Sequence, residues 1–291
     1  MTALADPAAC DVRDAAQAAE AIGPCDVIVH CAAVATIDDI VRPEVRAVNV
    51  GGTANIIDAA RRLGARLVYV SSVHALTESP AGAVMREADS FDPDTVVGGY
   101  AKTKAEAAAL VLAADDLERV IIHPSGLLGP GDPGSTNLTN LVRRLMIGEL
   151  GVVGDGGYDM VDVRDVAAAI VTACRTGDGC YLTTGDYVTL RQIGGIVTEL
   201  VGRRRPTILP TWIARVGAIP AEWIGKVYGR PPLFTRCSLH TLGSGNRFDS
   251  TRARRELSFR PRPVRESLTD MVADLQGQTR TPSRDATRSV G

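Results

Sequence analysis

Lysine is nearly absent from this chain of 291 residues: of 32 basic side chains only Lys102, Lys104 and Lys226 are lysines, the rest arginines. The six cysteines, Cys10, Cys25, Cys31, Cys174, Cys180 and Cys237, never stand as Cys-x-x-Cys. That excludes the common zinc and dithiol spacings and reads the cysteines as small buried hydrophobes. No run of eighteen apolar residues occurs, and an N-terminus with Asp6 inside it lacks the charged and apolar regions of a signal peptide. A cytoplasmic protein without a membrane partner is expected. A net charge of -2 gives nucleic acid no electrostatic footing. Hydrophobic content of 45% fits a soluble enzyme scaffold, long enough to bury a large core in one composite unit or two domains.

Against this scarcity, two of the three lysines flank Thr103, and one of them, Lys104, stands four places after Tyr100. One helical turn puts Tyr100 and Lys104 on the same face. A phenol is a poor base near neutral pH until a nearby cation favours its phenolate, and an amine one turn away supplies that cation. Lysine also offers a compact ammonium on a flexible stem, which approaches a phenolate and a sugar hydroxyl more easily than arginine's rigid fork. A second reading stays open for the pair alone: an exposed aromatic and a solvated charge on a helix whose apolar face is Ala101, Ala105, Ala108 and Leu110.

Three apolar runs have the look of buried strands: residues 26–33, ending in the small Cys31, Ala32 and Ala33; residues 67–72, ending in Ser71 and Ser72; and residues 119–126, ending in Pro124, Ser125 and Gly126. Helical stretches at 43–63 and 98–115 lie between them. This alternation predicts an α/β fold with a parallel, doubly wound sheet, whose strand ends are where ligands sit.

With these residues in view, the chain resembles the extended short-chain dehydrogenase/reductases, which include sugar-nucleotide epimerases and dehydratases, 3β-hydroxysteroid dehydrogenases and dihydroflavonol reductases. The motifs fall in the family's order: Asp11-Val12-Arg13-Asp14, His30-Cys31-Ala32-Ala33, Asn49-Val50-Gly51-Gly52-Thr53-Ala54-Asn55, Tyr69-Val70-Ser71-Ser72, Tyr100 with Lys104, and His123-Pro124-Ser125-Gly126 running to Asp132. Asp162, Arg164 and Asp165 and the Arg252 to Leu257 segment are further landmarks. The resemblance implies that Tyr100 is the general acid/base, that Lys104 lowers its pKa and holds the nicotinamide ribose, and that Ser72 bonds the substrate oxygen. It implies a cofactor, NAD or NADP, held by Asp11 and Val12 at the adenine, by Cys31, Ala32 and Ala33 at the diphosphate and ribose, by Asn49, and by Pro124 and Ser125 at the nicotinamide. No metal is implied. A small-molecule substrate and a homodimer through the helices carrying Asn55 and Tyr100 are the expected partners.

The family pattern opens with a strand and a glycine-rich turn that seats the diphosphate on a helix N-terminus. Here the first landmark is already the family's third strand end, at Asp11. The expectation is therefore an incomplete Rossmann-like sheet in which residues 27–30 form an open edge. A chain with a wrongly placed start, or a fragment, explains it. So does a non-catalytic member, a cofactor sensor or inert remnant.

Residues 1–125 are expected to form the partial dinucleotide-binding domain and 126–275 a smaller C-terminal substrate domain, with 160–185 returning to the first and 276–291 a disordered tail. Asp155, Asp159, Asp162 and Asp165 interleave with Gly and Val across a turn, a strand and a helix start, and Asp162 or Asp165 capping a helix is favoured over a metal site. His74, just after Ser72, has two readings, a substrate contact or an ordinary surface group. Residues 151–158 read as a glycine-rich turn, 166–175 and 190–201 as helices, and Arg203, Arg204 and Arg205 as a solvated face, with a phosphate site as the second reading. Trp212 and Trp223 in residues 207–247 either pack the small domain or cover a lipidic or ring-bearing substrate. The function expected is an NAD(P)-dependent oxidoreductase or epimerase acting on a carbinol or carbonyl carbon, closer to the reductase and 3β-hydroxysteroid branch than to the sugar-nucleotide epimerases.

Overall fold

The computed structural model describes residues 10–36, 38–79, 83–132, 136–209 and 246–280. Trp212, Trp223, Lys226, Cys237 and the tail from residue 281 lie outside them.

Asp14 opens α1 (Ala15–Ile22) by accepting the amide N–H groups of Ala16 and Gln17. After β1 (Val27–His30) comes a continuous helical stretch: α2 (Pro43–Arg46), a wide turn over Ala47–Gly52, and α3 (Thr53–Leu63). Gly52 in that turn admits Val12, whose Cγ2 would stand 2.5 Å from an added Cβ. The chain continues through β2 (Arg66–Val70), β3 (Val84–Met85), α4 (Gly99–Ala113), β4 (Arg119–Pro124), β5 (Gly126–Leu128), α5 (Asn137–Ile147), β6 (Val152–Gly154) and β7 (Gly157–Asp162). The remaining elements are α6 (Val163–Ala173), β8 (Gly179–Thr183), β9 (Asp186–Thr189), α7 (Leu190–Leu200), β10 (Thr207–Leu209), β11 (Arg247–Phe248), α8 (Thr251–Glu256) and α9 (Val264–Arg280).

The main sheet is wholly parallel, in the order β1-β2-β4-β8. Successive side chains of a strand face opposite sides, so Leu67, Tyr69 and Ile121 pack under α1, α3 and α4, while Val68, Val120 and Ile122 pack under α6 and α8. All six are at most 1% exposed, and each such burial is worth roughly 1.5–3 kcal/mol. Among the described residues β1 is the edge of this sheet, and Val29 is 39% exposed there.

Two features depart from the sequence expectation. Ala253, Leu257 and Phe259 lie in the core against Val120, Ile122 and Tyr181, so the chain returns to the parallel sheet a second time near α8. Arg252 ties that return down by donating to the carbonyls of Cys180 and Asp178. Helix α9 also runs past Gln276 to Arg280, one turn beyond Leu275, its last buried apolar residue.

The smaller unit consists of the β5-β7-β9 sheet and the β6–β10 pair packed on α5, α7 and α9. Residues 151–158, expected as a turn, contain β6 and the start of β7. Among the described residues no helix is long and apolar enough to cross a membrane.

Candidate active site at the strand ends

The carboxyl ends of β1, β2 and β4 converge beside the first two turns of α4. Two glycines set where that helix starts. Gly98 has a φ of 100°, which L side chains avoid, and Gly99 lies so close to the preceding loop that a Cβ would stand 2.1 Å from the Ile40 carbonyl oxygen. The Gly99 N–H donates to the Asp38 carbonyl at 2.9 Å. Tyr100 is thereby placed in the first turn, half-buried, and Lys104 one turn later, 2% exposed.

Lys104 is therefore no solvated charge. Its ammonium donates to the Val70 carbonyl at 2.8 Å and to the Tyr69 hydroxyl at 3.4 Å, and lies 4.9 Å from the Tyr69 ring centroid. Burial pulls its pKa down to about 8. On the other face of the expected helix pattern, Ala101, Ala105 and Ala108 are buried, but Leu110 is 39% exposed. The Tyr100 phenol is pushed up to about 12 by desolvation, with the Ser72 hydroxyl pulling the other way. Desolvation, not the ammonium, dominates the phenol in this arrangement. His74 meets the Tyr100 ring edge-on with centroids 6.5 Å apart, so it does stand at this site.

Ser72 is held from both sides. Its hydroxyl accepts the His74 amide N–H at 3.2 Å, and its carbonyl accepts from His123 Nδ1 at 3.0 Å. A carbonyl can only accept, so His123 carries its proton on Nδ1. Burial lowers the His123 pKa to about 4, and Phe91 stacks on its ring at 5.2 Å. His123 thus pins the Ser72 backbone, a role the sequence reading passed over. The available signal was a histidine inside the apolar β4, because a buried polar ring must find a partner.

The expected cofactor residues are distributed along the same edge. Cys31, Ala32 and Ala33 are exposed at the end of β1, which corrects the reading of the cysteines as buried; among those described only Cys180 is fully so. Asn49 clamps the following loop to α4: its Oδ1 accepts the Val34 N–H at 2.7 Å, and its Nδ2 donates to the Val34 carbonyl and Thr103 Oγ1, both at 3.0 Å. The Asp11 carboxylate is held near 2 by the Arg13 guanidinium, and Asn55 donates to the Val12 and Arg13 carbonyls at 2.9 and 3.1 Å. Pro124 and Ser125 are buried, the Ser125 hydroxyl beside the Asp159 carboxylate. A ledge of small exposed residues at the end of β1 fits a dinucleotide that approaches along the backbone.

The acidic residues have structural duties. Asp162 caps α6 by accepting the Arg164 N–H at 2.8 Å, which starts that helix three residues before the expected Val166. Asp165 accepts both the backbone N–H and the guanidinium of Arg262, at 2.7 and 2.8 Å. Asp159 accepts from the Gly185 N–H at 2.9 Å.

A family model described as the NAD dependent epimerase/dehydratase family matches residues 3–181. Sterol demethylase protein B of Methylococcus capsulatus is 32% identical over 273 residues, covering 90% of this chain and 82% of that protein. The 3beta-hydroxysteroid-dehydrogenase/decarboxylase isoform 2 of Arabidopsis thaliana is 28% identical over 314 residues, 97% of this chain and 55% of that protein. Among solved structures, the crystal structure of gox2253 matches with a TM-score of 0.76 at 27% identity, covering 93% of this chain and 84% of that one.

Proposed function

Because the chain belongs to the NAD dependent epimerase/dehydratase family, we propose that it is an oxidoreductase or epimerase that uses NAD or NADP to act on a carbinol or carbonyl carbon. The observation that carries this reading is the buried Lys104 ammonium, held at the end of β2 just before Ser72 and one helical turn after Tyr100. Asp11 with Val12, Cys31 with Ala32 and Ala33, and Pro124 with Ser125 would hold the dinucleotide. NAD(P) supplies the hydride acceptor or donor when bound.

The residues of the chain do the rest. Ser72, fixed at its carbonyl by His123, hydrogen-bonds the substrate oxygen. Tyr100 takes the hydroxyl proton in the oxidative direction and returns it in the reductive one. Lys104, with a pKa of about 8, is still largely charged at neutral pH, and an ammonium brought to the phenol would oppose the desolvation that now raises the Tyr100 pKa. Burial keeps water from the proton being moved. The sterol demethylase and hydroxysteroid dehydrogenase/decarboxylase relatives support a ring-bearing, apolar carbinol over a sugar nucleotide as substrate.

The test is turnover by the purified chain with NAD+ or NADP+ and three alcohol classes, 3β-hydroxysteroids, flavan-type alcohols and UDP-sugars, followed by nicotinamide absorbance. The steroid alcohols should be oxidised, and Tyr100→Phe should lower kcat about 100-fold or more. Absence of both nucleotide binding and turnover would leave a non-catalytic chain.

A further inference from the structure

Lys104 has a second partner that the reaction as described does not use. Tyr69 is 1% exposed, its ring packed at 5.5 Å from that of His30 on one side and 4.9 Å from the Lys104 ammonium on the other. Desolvation raises its phenol well above the ordinary tyrosine range, so at working pH it is a neutral hydroxyl able to accept from an ammonium. The Thr53 hydroxyl stands beside it, and Thr53 is itself bonded to His30 Nε2 at 3.0 Å and to the Asn49 carbonyl at 2.7 Å.

A lysine ammonium has three N–H donors. The Val70 carbonyl takes one and the Tyr69 hydroxyl takes another, both at the end of β2, which leaves the third for the remaining side of the pocket. A four-carbon stem has no such direction of its own. We propose that Tyr69 is a positioning residue: its hydroxyl and ring fix the Lys104 ammonium so that the remaining N–H faces the Tyr100 side of the site. The catalytic meaning of this rests on the function proposed above; its geometric content does not.

The groups facing the ammonium are few. They are Tyr69 on β2, His30 and Cys31 at the end of β1, and His123 on β4, with Tyr100 one turn earlier on α4. Burial holds His30 near 3 and His123 near 4, so both stay neutral where Lys104 titrates. Removing the Tyr69 hydroxyl therefore takes away one acceptor that favours the charged amine, while the Val70 carbonyl and Cys31 continue to favour it.

Three lysines in the whole chain make the experiment clean. With lysine labelled at the ε-carbon, NMR titration of the full chain should show one lysine with a midpoint near pH 8, assigned to Lys104 by its loss in Lys104→Met. In Tyr69→Phe, which keeps the ring, the Lys104 midpoint should fall by about half a pH unit or more. An unchanged midpoint in a folded variant overturns the proposal. The unsubstituted chain gives an independent reading: the Tyr69 ring current should displace the Lys104 ε-proton resonances from those of Lys102, and coincident resonances overturn it too. In turnover, Tyr69→Phe should lower kcat about tenfold with the nucleotide KM within about twofold. A KM rise with kcat intact would assign Tyr69 to binding instead and refute positioning. If no substrate turns over but the NMR shifts hold, the proposed function falls and the positioning stands.

Discussion

Replacing Lys104 with methionine should abolish turnover and yet make the fold more stable at neutral pH. Burial holds this amine near 8, whereas an ordinary lysine titrates at 10.5. At about 1.4 kcal/mol per pH unit, that gap corresponds to about 3 kcal/mol spent on keeping the ammonium charged inside the fold. Lys104 is 2% exposed, so solvent screens little of it. Against the gain stands the Val70 carbonyl, which loses its 2.8 Å partner at a cost of about 1–2 kcal/mol. Methionine fills a similar volume, and the net expectation is a gain of about 1–2 kcal/mol near neutral pH.

The pH dependence makes this sharper than a single number. The folded-state pKa is depressed, so between pH 8 and 10.5 the unfolded chain binds more protons than the folded one, and the wild-type stability rises with pH across that window. Lys104→Met lacks this rise. Its advantage should be full below pH 8, shrink through the window, and reverse above 10.5, where only the lost hydrogen bond remains. Urea unfolding of both chains at several pH values measures the difference directly, and other titrating groups cancel in it. A variant equally destabilised at neutral and alkaline pH would show that the buried charge carries no penalty, and the reasoning about the site's electrostatics would fail.

Two further substitutions probe how the site is built. Gly99→Ala forces a Cβ against the Ile40 carbonyl oxygen, 2.1 Å away in the present geometry; it should cost about 1–3 kcal/mol and displace Tyr100, lowering kcat, and unchanged melting temperature and kcat together would contradict the close approach. Asp165→Ala leaves the Arg262 N–H without its acceptor and takes the nearest partner from its guanidinium, which keeps Glu266 at 3.3 Å, at the entry to α9; denaturant unfolding should show a loss of about 1–2 kcal/mol, and a loss below about 0.5 kcal/mol would mean that this contact does not dock the helix.

Much of the fold was legible for a simple reason. Strands buried on both faces must be apolar at every position, so β2 and β4 stand out as continuous runs, and the helices between them follow from spacing. What stayed hidden depends on distant partners. The six-residue α8 carries Arg252, Arg254 and Arg255 and has too few apolar positions to announce that it covers β4 and β8. The start of α6 was set by a cap at Asp162 that lies outside the apolar period. Cys31 reads as a core residue by composition, and only the position of β1 at the sheet edge exposes it.

The same division runs through the site. Spacing placed Tyr100 and Lys104 on one face of a helix, and the scarcity of lysine marked the pair. Spacing fixes a face but not the direction of a long side chain, and here that direction comes from a strand more than thirty residues earlier in the chain. The chemistry of the pocket also accounts for the residue type. A buried amine can let its pKa fall toward neutrality, while a guanidinium keeps its charge and five donors wherever it is put. Among the described residues, one carbonyl and one phenol at the end of β2 are the acceptors bonded to Lys104, enough for an ammonium and too few for an arginine. In a chain that otherwise uses arginine, position 104 is therefore where lysine was physically required, and Tyr69 is half of the reason.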